Sequence, residues 1–478
     1  MGAAAVRDPG LKAMRRNSRP VCTIRLALAR AVHPATAADP VDAWRAAARN
    51  DREYVVGRAD QTTAQPLRDQ AAALWMPNVG ISAAAGVATR SSQTRGAEFS
   101  APGFGQSTGV DFSTSVANGS SGRWAIVATQ PLYNPARRAQ QQQLGLSADL
   151  ADLAWRAAGQ ALMLRVAERY FDAALAEESV RVLQLQRDAV QSASTEAGDR
   201  FKLGSVPVTD THEAAARLAS VRAQWLAAQS DLQIKRNLLA DSTGMAADAL
   251  TTRLPAGLHS RPPAAAVPVP MATWLADAQA GNPAIRSQML AVEIARQEAG
   301  RYGRRASPAV DLIALAGRDR LSGSGDFGAA SNTGSNRMIG VQLSLPLFTG
   351  GYRDAKEEEA LRLADKAMAE LERTREQVAQ QVRAAWLGLN VGAERVQALE
   401  DALAASLARR DATQLGRDIG QRTTLDLLNA ENDTAAARLA LAQGRVGLLM
   451  DRLRLAALAG RLDEAQLHAI DAELAASP

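Results

Sequence analysis

Apolar residues recur along this chain with two periods, and the same succession of periods appears twice. Val79, Ile81, Ala83, Ala85 and Val87 alternate with Gly80, Ser82, Ala84 and Gly86. A period of two predicts a strand with one apolar face. Trp124, Ile126 and Ala128 resume the alternation until Pro131. Far downstream, Val310, Leu312, Ala314 and Ala316 mark a third strand, and Ile339, Val341, Leu343 and Leu345 alternate with Gly340, Gln342 and Ser344 in a fourth. Between the members of each pair, residues 89–122 and 318–337 are rich in Ser, Gly, Thr and Asn and read as long polar loops.

Around these strands the period is helical. Asp39-Pro40 opens a helix predicted over 40–75, closed by Pro77. No proline occurs from Arg137 to Val206, a window that one helix would fill with a rod of roughly 100 Å. Gly204-Ser205-Val206-Pro207 breaks it, and a second helix runs to about Ala240. Asn282-Pro283 starts a helix through Arg301, and after Pro346 the chain is proline-free until Pro478. There, Leu361, Ala364, Met368, Leu371, Val378, Val382, Ala385 and Leu389 fall on heptad spacing, with Arg375 the exception. Sustained heptads argue for coiled-coil packing.

The chain therefore carries one large module in duplicate. Gly204 with Thr209-Asp210 is echoed by Gly420 with Leu425-Asp426, and Gln130-Pro131-Leu132-Tyr133 by Leu345-Pro346-Leu347-Phe348. The first repeat spans 38–252, a proline-rich linker 253–281, the second repeat 282–460 and a tail 461–478.

The net charge of +5 is deceptive. Arg7, Lys12, Arg15, Arg16, Arg19, Arg25 and Arg30 stand against Asp8 alone within residues 1–37, so the remainder is close to neutral. No basic stripe marks the body, which argues against a nucleic-acid partner. The basic stretch, the apolar run around Val21–Val32 and Ala35-Thr36-Ala37 read as an export signal ending at an A-x-A site. N-terminal sequencing of the membrane-purified protein should begin near residue 38, and a start at Met1 or Gly2 would contradict this. The single cysteine, Cys22, falls in that leader, so the expected mature chain has no disulfide or thiolate metal site. His33, His212, His259 and His468 are scattered, and no nucleophile–base constellation can be assembled. Neither catalysis nor a cofactor is expected.

Four strands per chain cannot close a barrel, and open sheet edges are not tolerated in lipid. Copies that each lend four strands to one barrel solve this, and three copies give about twelve, within the range of outer-membrane barrels. The long helices would continue from the strand ends as a tube, and the polar loops would face outward.

The residues that carry a family resemblance are the two Pro-Leu-aromatic corners, Leu74-Trp75-Met76-Pro77, and above all Gly420-Gln421-Arg422-Thr423-Thr424-Leu425-Asp426-Leu427-Leu428-Asn429-Ala430. The last resembles the Gly-x-Arg-Thr-x-x-Asp-Val-Leu-Asp segment of the TolC family of outer-membrane efflux and secretion channels, and the Gly204 copy resembles its first-repeat partner. The resemblance implies a mainly α chain with coiled-coil helices, assembled as a homotrimer with a twelve-stranded β-barrel in the outer membrane and an α-helical periplasmic tunnel. It implies an equatorial region, built here from residues 245–281 and 461–478. It further implies a periplasmic adaptor and an inner-membrane ABC transporter or other translocator as partners, outer-membrane lipid around the barrel, and passive export. Cys22 lacks the setting of a lipoprotein signal, which favours the secretion and efflux branch. The Ala/Arg-rich style is similar to type I systems that export large toxins such as adenylate cyclase toxin, with multidrug efflux as the alternative and a soluble coiled-coil adaptor as the third reading.

The family's constriction is a ring of paired aspartates, and the matching positions are Asp426 and Asn429, three apart and so on one helix face. Asn429 departs from the pattern and halves the charge. Asp426 has a second reading, as a helix cap. The family's closed state is held by links between the two coiled-coil pairs. The matching residues are Arg422 with Thr209 and Asp210, while Arg417 replaces a tyrosine. Arg422 also reads as a solvated charge at a helix break.

Overall fold

The computed structural model describes residues 39–103, 105–247, 252–255, 269–303, 307–325 and 328–475; the leader and most of the linker lie outside them. Four strands, β1 (Asn78–Ala101), β2 (Gly105–Tyr133), β3 (Ala309–Gly325) and β4 (Gly328–Ser344), form one antiparallel sheet in chain order. Directly opposed residues share a face, so the register separates the faces. Val79, Ala128, Ala314 and Ile339 form one row, and Leu312–Val341 and Val310–Leu343 continue it below. The opposite face carries Ser82, Ala125, Gly317 and Asn336 in one row and Ala84, Arg123, Asp319 and Gly334 in the next. Within one chain the apolar face is bare: Ile81 is 74% and Ile339 81% exposed.

The apolar stretch runs from Val79 up to Val87 on β1 but from Ile339 down to Leu343 in chain order on β4, although Val79 and Ile339 lie in one row. A band level with a membrane therefore requires strands tilted to its normal, as barrel closure demands. Arginine near the middle of a lipid-facing band costs about 2–4 kcal/mol. Ile81→Arg should therefore reduce the folded, membrane-inserted fraction sharply, whereas Ser82→Arg, on the other face, should be tolerated. Heat-modifiable mobility on gels reads both.

The polar segments expected as loops are strand instead. Residues 89–101 and 105–122 extend the first hairpin, and 318–325 and 328–337 the second. The reason is that a ladder is built from backbone groups. Where both faces are wet, Ser, Thr and Gly serve as well as apolar residues, and the hydrophobic alternation that marks a strand vanishes. The first hairpin is irregular, with register shifts between Ala88 and Arg90, Thr94 and Ala97, and Ala97 and Phe99. Gly96 takes φ +65° and donates its N–H to Asp111 Oδ1 at 2.8 Å. A Cβ on Gly323 would lie 2.5 Å from Gly119 Cα, so β2 and β3 meet there glycine to glycine.

The helix expected over 40–75 is three: α1 (Pro40–Asn50), α2 (Arg52–Gln61) and α3 (Ala64–Ala73). Asp51 turns extended and caps α2 through the Tyr54 N–H, and Thr62 and Thr63 bond back to Ala59 and Asp60 carbonyls. The long rods are α4 (Pro135–Lys202) and α8 (Tyr352–Asp418), each about 100 Å. They pair with α5 (Val208–Thr243) and α9 (Thr424–Leu458) respectively, while α6 (Met271–Gly281) and α7 (Pro283–Tyr302) pack on α8, and α10 (Glu464–Ala475) on α1. Of the heptad positions on α8, Ala364, Leu371, Val378, Val382 and Ala385 are buried, but Leu361 and Met368 are exposed in the single chain.

The bulkiest core lies midway along the rods. Val41, Tyr170, Phe171, Leu239, Leu449, Leu453, Leu467 and Ile470 join α1, α4, α5, α9 and α10, with Met245, Leu254 and Leu462 packed in. Tyr170 accepts the Arg253 N–H at 2.9 Å. Nearer the ends of α4 and α8 the core thins to Val190, Ala193, Ala197, Ala214, Val221 and Leu428.

Candidate channel entrance at the helix tips

Both rods leave the sheet and end about 100 Å away, at turns of the same construction. At the end of α8, Gly420 takes φ +79°, its N–H bonds the Arg417 carbonyl at 3.0 Å, and the Gln421 N–H bonds that of Gly416 at 2.8 Å. At the end of α4, Gly204 takes φ +70°, with Gly204 N–H on Phe201 O and Ser205 N–H on Arg200 O, each 2.9 Å. This is the Schellman closure, in which a left-handed residue satisfies the last carbonyls of a helix and glycine bears no steric cost.

The helices that leave the two turns start differently. Thr423 and Asp426 form a reciprocal capping box on α9: the Asp426 carboxylate accepts the Thr423 N–H at 3.0 Å, and Thr423 Oγ1 accepts the Asp426 N–H at 3.1 Å. Two donors that would otherwise be orphaned are thereby satisfied. The Thr423 N–H, then the Thr423 hydroxyl, with Arg422 and Arg409 nearby, hold the Asp426 carboxyl below the usual carboxylate range. At the first turn Pro207 occupies the cap and supplies no side-chain bond. Asn429 is exposed one turn beyond the half-exposed Asp426. Thr423 is thus the N-cap residue of α9, and Asp426, expected as the cap itself, is the third helical residue that completes the capping box.

The expected latch residues divide. Asp210 has Thr209 Oγ1 at 3.5 Å, on the same helix. Arg422 is exposed and lies over Gly416, where an added Cβ would come within 2.8 Å of Arg422 Cγ. No ion pair joins Arg422 to Asp210 among the described residues of one chain. Arg417 makes the connection that Arg422 does not. Its guanidinium, 14% exposed, pairs with Glu196 of α4 at 3.1 Å and with Asp418 at 3.1 Å. Glu196 and its second partner Arg200, 3.5 Å away, escape sequence reasoning, because a contact between repeats leaves no mark in local spacing. The i,i+4 spacing of Glu196 and Arg200 was the one visible signal.

Residues 44–245 and 274–461 match the family described as "Outer membrane efflux protein". The chain belongs to the outer membrane efflux protein family. It is 27% identical over 333 residues to outer membrane protein TolC of Escherichia coli, covering 68% of this chain and 66% of that protein. It is 28% identical to alkaline protease secretion protein AprF of Pseudomonas aeruginosa, covering 72% of this chain and 70% of that one. The matched region thus spans about two thirds of these relatives. The fold is that of the outer membrane protein VceC from Vibrio cholerae, with a TM-score of 0.68 at 20% identity over 88% of this chain and 96% of VceC. A member of the outer membrane efflux protein family with this fold resides in the outer membrane, its helical tunnel on the periplasmic side. No helix among the described residues is long and apolar enough to cross a membrane.

Proposed function

We propose that three copies of this chain form a passive channel-tunnel, the outer-membrane part of a tripartite export system. An inner-membrane ABC transporter or other translocator and a periplasmic adaptor would deliver cargo to the helix tips. The observation that carries this reading is a sheet with a bare apolar face and two unpaired edge strands, set on rods of about 100 Å. Unpaired edges in lipid leave backbone groups unsatisfied, and the β4 edge of one copy against the β1 edge of the next removes them.

The cargo we favour is protein, by type I secretion. The similarity to a protein named for alkaline protease secretion supports it. Drug efflux is the second reading, supported by the description of the family itself. Deletion of the gene tests both. Protein secretion predicts that one or more proteins vanish from the culture medium while drug susceptibility stays unchanged. An unchanged medium with increased susceptibility to hydrophobic drugs would replace secretion by efflux.

A further inference from the structure

We propose that Arg318, Arg320 and Arg337 form a binding site for the phosphorylated headgroup of a lipid in the outer leaflet; this rests on the channel reading above, which turns the apolar face of the sheet to the membrane. All three belong to that face. Ile81, Ile126, Ala316 and Arg337 stand in one row, Ala83, Trp124, Arg318 and Ser335 in the next, and Ala85, Gly122, Arg320 and Thr333 in the third. The apolar run of the face ends at Val87 on β1, Trp124 on β2, Ala316 on β3 and Ile339 on β4. One oblique line thus bounds the apolar band across the four strands, and Arg318 and Arg337 are the first residues of the face beyond it on theirs.

Their depth fits a headgroup. The helices join the sheet at its other end, so the arginines lie toward the cell exterior. Arg318 is about 26 Å along β3 from Val310. A strand tilt of about 40° shortens this to about 20 Å, close to the height of the outward apolar band of outer-membrane barrels. Trp124, directly opposite Arg318 and 45% exposed, is of the residue type that sits at headgroup level. An arginine there is tolerated on the lipid side, unlike one at mid-band.

The patch has no acid. Over residues 79–87, 120–130, 310–322 and 331–343, this face carries the three arginines and no Asp or Glu. Asp311 and Asp319 stand on the other face, where Asp319 lies opposite Arg123 and pairs with Arg90 at 3.6 Å. Arg318, Arg320 and Arg337 are exposed and make no ion pair or hydrogen bond among the described residues. They are also close together. Arg318 and Arg320 are about 7 Å apart along β3, and Arg337 is diagonal to Arg318 across the β3–β4 ladder, about 7–8 Å away. Like charges so placed repel unless an anion lies between them. A phosphate suits the place, because guanidinium forks grip its oxygens in pairs. Ser335 and Thr333, opposite Arg318 and Arg320, add hydroxyl donors on the same face. The apolar band begins in the adjoining row, with Ala314 and Ile339, so the site joins a seat for phosphate to a surface for acyl chains. That combination fits a lipid and not a soluble anion.

The purified full-length protein, stripped of lipid in mild detergent, can be titrated with diphosphorylated lipid A and the bound lipid counted by native mass spectrometry. The wild type should bind about one lipid per chain, and dephosphorylated lipid A about tenfold or more weakly. The triple variant Arg318→Gln, Arg320→Gln, Arg337→Gln should lose about tenfold or more in affinity, the scale of losing charge-assisted pairs to phosphate, and the triple lysine variant should fall between. Arg123→Gln, on the other face, should bind as the wild type does. Heat-modifiable mobility should be the same in all, so that lost binding is not lost fold. Equal affinity for the two lipids in the wild type would overturn the site, as would wild-type affinity in the triple glutamine variant or an equal loss with Arg123→Gln. A folded single chain would overturn the channel reading itself, whereas a trimer indifferent to the lipid phosphates overturns only the site.

Discussion

The double variant Arg422→Ser, Asp210→Ala is expected to leak, with resting conductance raised about tenfold, and to sensitise cells to large antibiotics without loss of fold. Arg422 sits exposed above Gly416 and makes no ion pair across the repeat among the described residues of its own chain. Asp210 lies half-exposed at the start of α5, with the Thr209 hydroxyl 3.5 Å away. A pair between them would have to join neighbouring copies. Such a pair is worth about 0–1 kcal/mol, but symmetry repeats it about three times around one opening. The single change Arg422→Ser should open the tunnel partly and the double change further. The melting temperature should hold, because the sheet and the mid-rod core lie far up the rods. Wild-type conductance in the double variant would leave closure to Arg417 and Glu196.

Asp426→Ala is expected to reduce cation selectivity and block by polyvalent cations, and Asn429→Asp to increase both. A unit charge about 5 Å from a permeating cation in water is worth about 0.8 kcal/mol. A ring of about three such carboxylates therefore alters relative permeability by roughly tenfold or more, and a second ring one turn away adds a similar amount. The pH dependence follows from the capping box. The Asp426 carboxyl is held below the ordinary carboxylate range by the Thr423 N–H and hydroxyl. Its charge, and the cap it makes, should be present at and above the ordinary carboxylate range and be lost only as pH falls through the lowered value. Selectivity should therefore survive mild acid that neutralises ordinary exposed carboxylates. Reversal potentials measured from neutral to acid pH check this. If Asp426→Ala and Asn429→Asp both keep wild-type selectivity and block, Asp426 is a cap alone.

The parts of the fold that were legible in the sequence are those where one face is apolar and the other is not. Val79 to Val87 and Ile339 to Leu343 announce their strands because lipid-side and lumen-side positions differ in chemistry. The same strands become invisible above Ala88 and before Met338, where both faces are wet and only the backbone ladder holds them. The breaks in α1–α3 had signals, Asp51 as a cap and Thr62-Thr63 as back-bonding residues, masked by the helical propensity of the alanines around them. At the tips, Gly204 and Gly420 marked the turns because only glycine enters the left-handed region freely. Asp426 was legible as a capping residue, but its reciprocal bond with Thr423, the true N-cap, came only with the structure. The pairing of Arg417 with Glu196 was not legible, since it depends on how two distant rods lie together.

The most direct test of the account is the mass of the folded protein extracted from outer membranes in a mild detergent, measured by native mass spectrometry. A barrel shared between copies predicts three chains in one particle, dissociating only as it unfolds, because each open edge of the β1–β4 sheet is sealed by a neighbour. A folded, monodisperse single chain would contradict it.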